Sequence, residues 1–133
     1  YALGSPNLIA GLCCVRDSIN SYTVDRLAQA GAVAALEDGP YFEEMRERVI
    51  RTRERTEERL RAMGFAVLES KANFLFVSHP KRTGKALLDG LREQGILVRW
   101  FDRPRIGNDL RISVGWDDVM DALCAALKAL TVG

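Results

Sequence analysis

The stretch that decides the fold is GILVRWFDRPRIGNDLRISVG, residues 95–115. Ile96 to Phe101 is apolar or aromatic except for Arg99, which is the composition of a strand. Asp109 to Gly115 alternates, with Leu110, Ile112 and Val114 on one face and Arg111, Ser113 and Gly115 on the other. Between the two runs, Asp102 to Asn108 carries Arg103, Arg105, a proline and a glycine, and reads as a loop. If Leu110, Ile112 and Val114 meet a core, Arg111 looks outward across the sheet. Pairing of the two strands then brings Arg99 near Arg111, and two adjacent guanidiniums repel unless an anion joins them. At the level of the residues two readings stand: an anion-binding pair, or arginines that are solvated or salt-bridged.

Working upstream, Thr83 to Gln94 has helical spacing with Leu87, Leu88 and Leu91 inward and Gly95 as its stop. Phe65 to Leu68 and Asn73 to Val77 read as strands separated by a polar turn. Downstream, Asp117 and Asp118 cap a last helix that turns Val119, Leu123, Leu127 and Leu130 inward. The order is ββαββα, an α+β sandwich with one sheet covered by helices on one face.

Ahead of it lies Tyr41 to Met63, the clearest helix. Its stripe is Phe42, Met45, Val49, Thr52, Thr56, Leu60 and Met63, and Gly64 ends it. The other faces set Glu44 against Arg48, Glu47 against Arg51 and Glu57 against Arg61, pairs worth roughly 0.2–0.5 kcal/mol each. Six acids and seven arginines nearly cancel there, which favours a solvated helix over a nucleic-acid arm. The first forty residues hold two more helices. One is capped by Ser5 and Pro6, with Leu8, Ile9, Leu12 and Val15 facing a core; Val24 to Leu36, apolar nearly all round, is expected to pack on several sides and to stop at Asp38-Gly39-Pro40.

Composition excludes several classes. The 133 residues are 47% apolar and 28% charged, which argues against disorder. A net charge of +1 offers no whole-chain field for nucleic acid or an anionic membrane. No apolar run approaches the roughly 20 residues of a membrane span, so a soluble, cytoplasmic protein is expected. The basic side is 15 Arg to 4 Lys, and arginine holds flat anions by paired hydrogen bonds, although such a bias also follows from genome composition. Cys13, Cys14 and Cys124 have no metal or disulfide spacing and are expected to be buried or half-buried thiols. Neither GxGxxG nor GxxxxGK[ST] occurs. His79, alone in a turn before Pro80, is expected at the surface, and Asp38, Asp89, Asp117 and Asp118 are explained by capping and solvation.

Four blocks resemble a known family: YALGSPNLI at 1–9, NSYTVDRLAQAGAVAALED at 20–38, KANFLFV at 71–77, and the 95–115 stretch. Together they are similar to the C-terminal part of the histidinol-phosphate aminotransferases, fold-type I members of the class I/II pyridoxal-phosphate-dependent aminotransferases. The resemblance covers essentially the whole chain, and its most specific block is the 95–115 stretch: a strand ending in Val98-Arg99, the Arg-Pro-Arg-Ile loop at 103–106, then Leu110-Arg111-Ile112 before Val114-Gly115. It implies a division of the chain into 1–38, a remnant of the large domain and interdomain helices, and 39–133, the small C-terminal domain with its long leading helix.

By the same resemblance, Arg111 is the arginine that holds the substrate's anionic group, and Arg99 helps to grip the substrate phosphate. The implied substrates are histidinol phosphate and imidazole acetol phosphate, with glutamate and 2-oxoglutarate as the second pair. The implied cofactor is pyridoxal 5'-phosphate in the intact enzyme, and the implied assembly is a homodimer, with no nucleic-acid or membrane partner. The Schiff-base lysine of the family falls upstream of residue 1, so the chain alone is expected to bind no cofactor and to catalyse nothing. Ser70-Lys71-Ala72 imitates the lysine segment but leads into a strand, and Lys71 is not expected to be catalytic. Asn20, Tyr22, Arg103 and Arg105 receive no role. Trp116 departs from the threonine usual in the family, leaving helix capping to Asp117. The alternatives are a stand-alone anionic-metabolite-binding or dimerisation module, and another fold-type I member such as threonine-phosphate decarboxylase.

Overall fold

A computed structural model describes residues 2–20 and 24–131, Asn20 by its backbone only. Tyr1 and Tyr22, singled out in the sequence, lie outside the described residues. The chain divides into two units, Tyr1–Phe42 and Glu43–Gly133.

In the first unit, α1 (Pro6–Asn20) starts where Ser5-Pro6 predicts. The Ser5 carbonyl accepts from Ile9 N at 3.0 Å, and proline's missing N–H falls where the helix has no acceptor for it. The stripe expected to face a core does not find one: Leu8, Leu12 and Val15 are exposed and Ile9 is half-buried. α2 (Arg26–Glu37) is capped by Asp25, whose Oδ1 accepts from Ala28 N at 2.8 Å. It buries none of its residues, and Leu27 and Leu36 are each 85% exposed, so the packing expected on several sides is not seen among the described residues. The break predicted at 38–40 is a single residue. Asp38 N–H donates to Ala34 O at 3.1 Å to close α2, while Asp38 Oδ1 accepts from Tyr41 N at 3.3 Å to open α3 (Gly39–Ala62).

The second unit continues with β1 (Ala66–Val67), β2 (Phe74–Ser78), α4 (Gly84–Glu93), β3 (Arg99–Trp100), β4 (Leu110–Ser113) and α5 (Asp117–Thr131). Every strand pair is antiparallel and the order across the sheet is β1-β2-β4-β3. Strand alternation sorts the faces: Val67, Leu75, Val77, Leu110 and Ile112 are buried on one side, together with Leu60, Leu87, Leu91, Met120, Leu123 and Leu127 from α3, α4 and α5. The opposite side carries Phe74, Phe76, Arg111 and Ser113. This is the one-sided α+β sandwich expected from the sequence.

Several details depart from expectation. The strand expected over 96–101 pairs only at Arg99–Trp100. On α5, Val119 is 52% exposed and Met120 takes the inward position. On α3, Thr52, Thr56 and Leu60 are buried while Phe42 is exposed; the helix turns inward only over its C-terminal half. Glu47–Arg51 and Glu57–Arg61 pair at 3.5 and 2.7 Å, but Arg48 leaves Glu44 and lies 4.3 Å over the Trp116 ring. Nor is α3 solvated throughout: Arg53 is buried, donating from Nη1 to Ala72 O at 3.1 Å, and Arg55 and Arg59 reach Asp121 on α5.

His79 is a correction. It is buried, its ring 4.8 Å from Phe65 and its Nδ1 accepting from Lys81 N at 3.3 Å. Gly64, at φ 88°, ends α3 in the left-handed region and leaves room beside His79 Nε2. Of the thiols, Cys124 is buried, Cys13 half-buried and Cys14 exposed. Among the described residues no helix is long and apolar enough to cross a membrane, and no three His, Cys, Asp or Glu side chains cluster to hold a metal.

Candidate functional site

β3 and β4 are consecutive in the chain and adjacent in the sheet, so the loop 102–108 closes them as a hairpin. The register sets Arg99 opposite Arg111 and Trp100 opposite Leu110. Trp100 therefore points to the core side, where its Nε1 donates to Gly107 O at 2.7 Å and ties the loop down. Asn108 Oδ1 accepts from Gly84 N at 3.0 Å, fastening the same loop to the start of α4. Arg105 sits within it at φ 73°, in the left-handed region, and stays exposed, as does Arg103. The structure thus brings together Arg99 and Arg111 and leaves Arg103 and Arg105 on the rim.

Directly opposed residues in an antiparallel pair have Cα atoms about 4.5–5.5 Å apart, which holds the two cationic side chains on one small area. Ten ion pairs occur among the described residues, and neither Arg99 nor Arg111 is in any of them. A recess of about 270 Å³ lies over the pair, lined by Leu97, Val98, Arg99, Arg111 and Ser113, with no carboxylate among its walls. Arg111 is half-buried and its Nε is enclosed without a hydrogen-bond acceptor. Such a donor is normally satisfied, so the arrangement has unused capacity for an anion.

Two aromatic residues were not singled out from the sequence. The Arg111 guanidinium lies 4.5 Å from the centre of the Phe74 ring, and that of Arg99 lies 5.1 Å from the centre of Phe101. The signal was available in part. Phe74 is two residues from Phe76, the cross-strand partner of Arg111, and hence on the same face.

The match to known proteins covers the site and the fold around it. The profile of the family described as aminotransferase class I and II matches residues 1–127. The chain belongs to that family. The histidinol-phosphate aminotransferase of Chromohalobacter salexigens is 52% identical over 130 residues, 98% of this chain and 37% of the relative. That of Clostridium acetobutylicum is 50% identical over 128 residues, 96% of this chain and 36% of the relative. A crystal structure of histidinol-phosphate aminotransferase from Sinorhizobium meliloti, in complex with pyridoxal-5'-phosphate, superposes with a TM-score of 0.75 at 31% identity, covering 91% of this chain and 34% of that one. The chain therefore spans little more than a third of the length of the curated relatives it matches.

The Sinorhizobium meliloti structure holds pyridoxal-5'-phosphate, a group that asks for a lysine amine, a carboxylate for the ring nitrogen and donors for the phosphate, all convergent. The described residues do not supply that set. Lys71 is exposed in a turn, paired with Glu69 at 3.3 Å, and Lys85 is tied to Asp89 along α4. Lys128 borders an open groove with Arg59, Met63 and Cys124 that has no acid among its walls.

Proposed function

We propose that this chain is the small C-terminal part of an aminotransferase acting on histidinol phosphate, and that Arg111 and Arg99 grip the anionic groups of its substrates. The observation that carries the reading is the pair of directly opposed, acid-free guanidiniums over a recess. The family membership and the similarity to histidinol-phosphate aminotransferases support the choice of substrate.

In this reading Arg111, on the central strand β4, takes the carboxylate of glutamate or 2-oxoglutarate in one half-reaction and an oxygen pair of the phosphorylated substrate in the other. Arg99, more exposed on the edge strand β3, adds a second fork that only the larger, doubly charged phosphate uses fully. Both ligands present two oxygens to a planar donor, so one site serves both. Bound anion also offsets the repulsion between the arginines, so substrate and site stabilise each other.

Within the same reading, residues 1–38 belong with the large cofactor-bearing domain and 39–133 form the small domain. The uncovered apolar side chains of α1 and α2 support that division. Pyridoxal 5'-phosphate is held outside the described residues, and the intact enzyme is a cytoplasmic homodimer. The test is amino transfer from histidinol phosphate to 2-oxoglutarate by a holoenzyme containing this chain, compared with histidinol and with aromatic amino acids as donors. Strong preference for the phosphorylated donor supports the reading; equal use of unphosphorylated histidinol rejects it.

A further inference from the structure

Like charges held opposite one another across two strands should swing apart into solvent, yet Arg111 is drawn back over the sheet with its Nε enclosed. What holds it is visible in the geometry. The Phe74 ring, diagonal to Arg111 on the neighbouring strand β2, lies beneath its guanidinium at 4.5 Å. On the other flank, Phe101, two residues beyond Arg99, lies beneath the Arg99 guanidinium at 5.1 Å. The π-faces attract the cations, and the attraction strengthens where water is partly excluded, as it is at half-buried Phe74 and Phe101. Because one ring belongs to β2 and the other lies just past the end of β3, each arginine rests on a separate support.

We infer that Phe74 and Phe101 are positioning residues for the anion site: two aromatic rests that hold the guanidiniums of Arg111 and Arg99 poised over the recess before any anion arrives. This rests on the anion-gripping reading of the pair. A flexible, fully solvated arginine loses rotamer freedom when it closes on a ligand; one already laid on a ring has lost part of that freedom beforehand. Neither phenylalanine touches the anion. Their effect passes through the arginines, and Phe74 has the larger part because Arg111 is the more buried of the two.

The experiment is a titration of the isotopically labelled 133-residue chain with inorganic phosphate, followed by the arginine Nε–H resonances, which are assigned with Arg99→Lys and Arg111→Lys. The Arg111 resonance is expected upfield, in the shielding cone of Phe74, and to move on addition of phosphate. Phe74→Leu should abolish the upfield shift and weaken phosphate binding by on the order of tenfold, whereas Phe74→Tyr, which keeps the ring, should preserve both. Thermal unfolding of the two variants is matched first. Should Phe74→Leu not fold, Phe101→Leu, outside the strands and the core, carries the same test for the Arg99 resonance. If Arg111→Lys weakens phosphate binding while the leucine variants bind as tightly as the parent, the positioning role is overturned and the anion site stands. If phosphate moves neither arginine resonance and Arg111→Lys changes nothing, the anion site itself is refuted, and the positioning role with it.

Discussion

Arg99 and Arg111 face each other across β3 and β4, yet they rest on different phenyl rings, Phe101 and Phe74, and neither has an acidic partner among the described residues. Uncompensated cations on one patch raise the free energy of the folded state, and an anion that joins them lowers it. Inorganic phosphate should therefore raise the unfolding midpoint of the chain at constant ionic strength, and Arg111→Ala should remove that increment. A chloride series at matched ionic strength is the control; an equal shift with chloride would show screening alone.

In a holoenzyme containing this chain, Arg111→Ala should weaken use of both glutamate and histidinol phosphate by on the order of 3 kcal/mol, roughly a hundredfold in kcat/KM. Arg99→Ala should penalise histidinol phosphate more than glutamate. Steady-state kinetics with each substrate reads both, and equal losses for Arg99→Ala would reject the division of labour.

Gly84 is packed against the hairpin loop. A Cβ there would stand 2.9 Å from the Asn108 carbonyl carbon and 3.1 Å from Trp100 Cδ1, and backbone cannot yield cheaply. Gly84→Ala should destabilise by about 1–3 kcal/mol and shift the resonances of Trp100 and Asn108. Gly90→Ala meets only the end of the Leu130 side chain, which can rotate away, and should cost less despite a closer nominal contact of 2.7 Å. Denaturant midpoints of the two variants decide the order.

Asp117, at the start of α5, accepts from Thr52 Oγ1 at 2.7 Å; that hydrogen bond, with Arg55, Arg48 and Arg51 nearby, holds its carboxyl below the usual aspartate range. The unfolded chain thus takes up the proton first as pH falls. The stabilisation is complete above about pH 4 and is lost as pH drops toward the depressed value. Asp117→Asn should flatten the acid limb of the stability profile, and Thr52→Val should shift that limb upward while lowering stability at neutral pH. Urea titrations between pH 2 and 7 would check both.

Burial pushes the Cys124 thiol up from its ordinary pKa, whereas Cys14 is exposed. An aromatic disulfide reagent should label Cys14 rapidly in the native chain and Cys124 only as the chain unfolds. Mass spectrometry of the modified peptides distinguishes them, and early labelling of Cys124 would count against the core of the second unit.

Much of this was legible in the sequence because alternation is a strong signal. Leu110, Arg111, Ile112 and Ser113 sort themselves onto two faces with no other information, and Ser5-Pro6 and Gly64 mark helix ends by their own chemistry, whereas Asp25 and Thr83, read as parts of their helices, prove to be the caps. Contacts between distant elements were not legible. His79 is buried because Phe65 and Gly64 receive it, and Arg48 prefers Trp116 to Glu44 because α5 begins beside it. The α1 stripe is a different case: periodicity reports that a helix has an apolar face and says nothing of which surface covers it. At the site, the arginines were visible and their aromatic rests were not, since ring-over-cation geometry depends on side-chain torsions that spacing does not encode.

Arg99 and Arg111 are separated by only eleven intervening residues, and both are fixed by pairing between successive strands. The two arginines thus lie on one contiguous segment, and it carries Trp100 and Leu110 of the buried layer with it, so a transplant between homologous scaffolds moves both faces together. The segment is also brittle in one direction. Deleting a single residue from 102–108 and letting the pairing slip by one would turn Arg111 toward Leu87 and Leu91, exchanging a cation over the open face for a buried charge. Substrate range in such proteins should accordingly evolve by replacement within the loop far more readily than by change in its length.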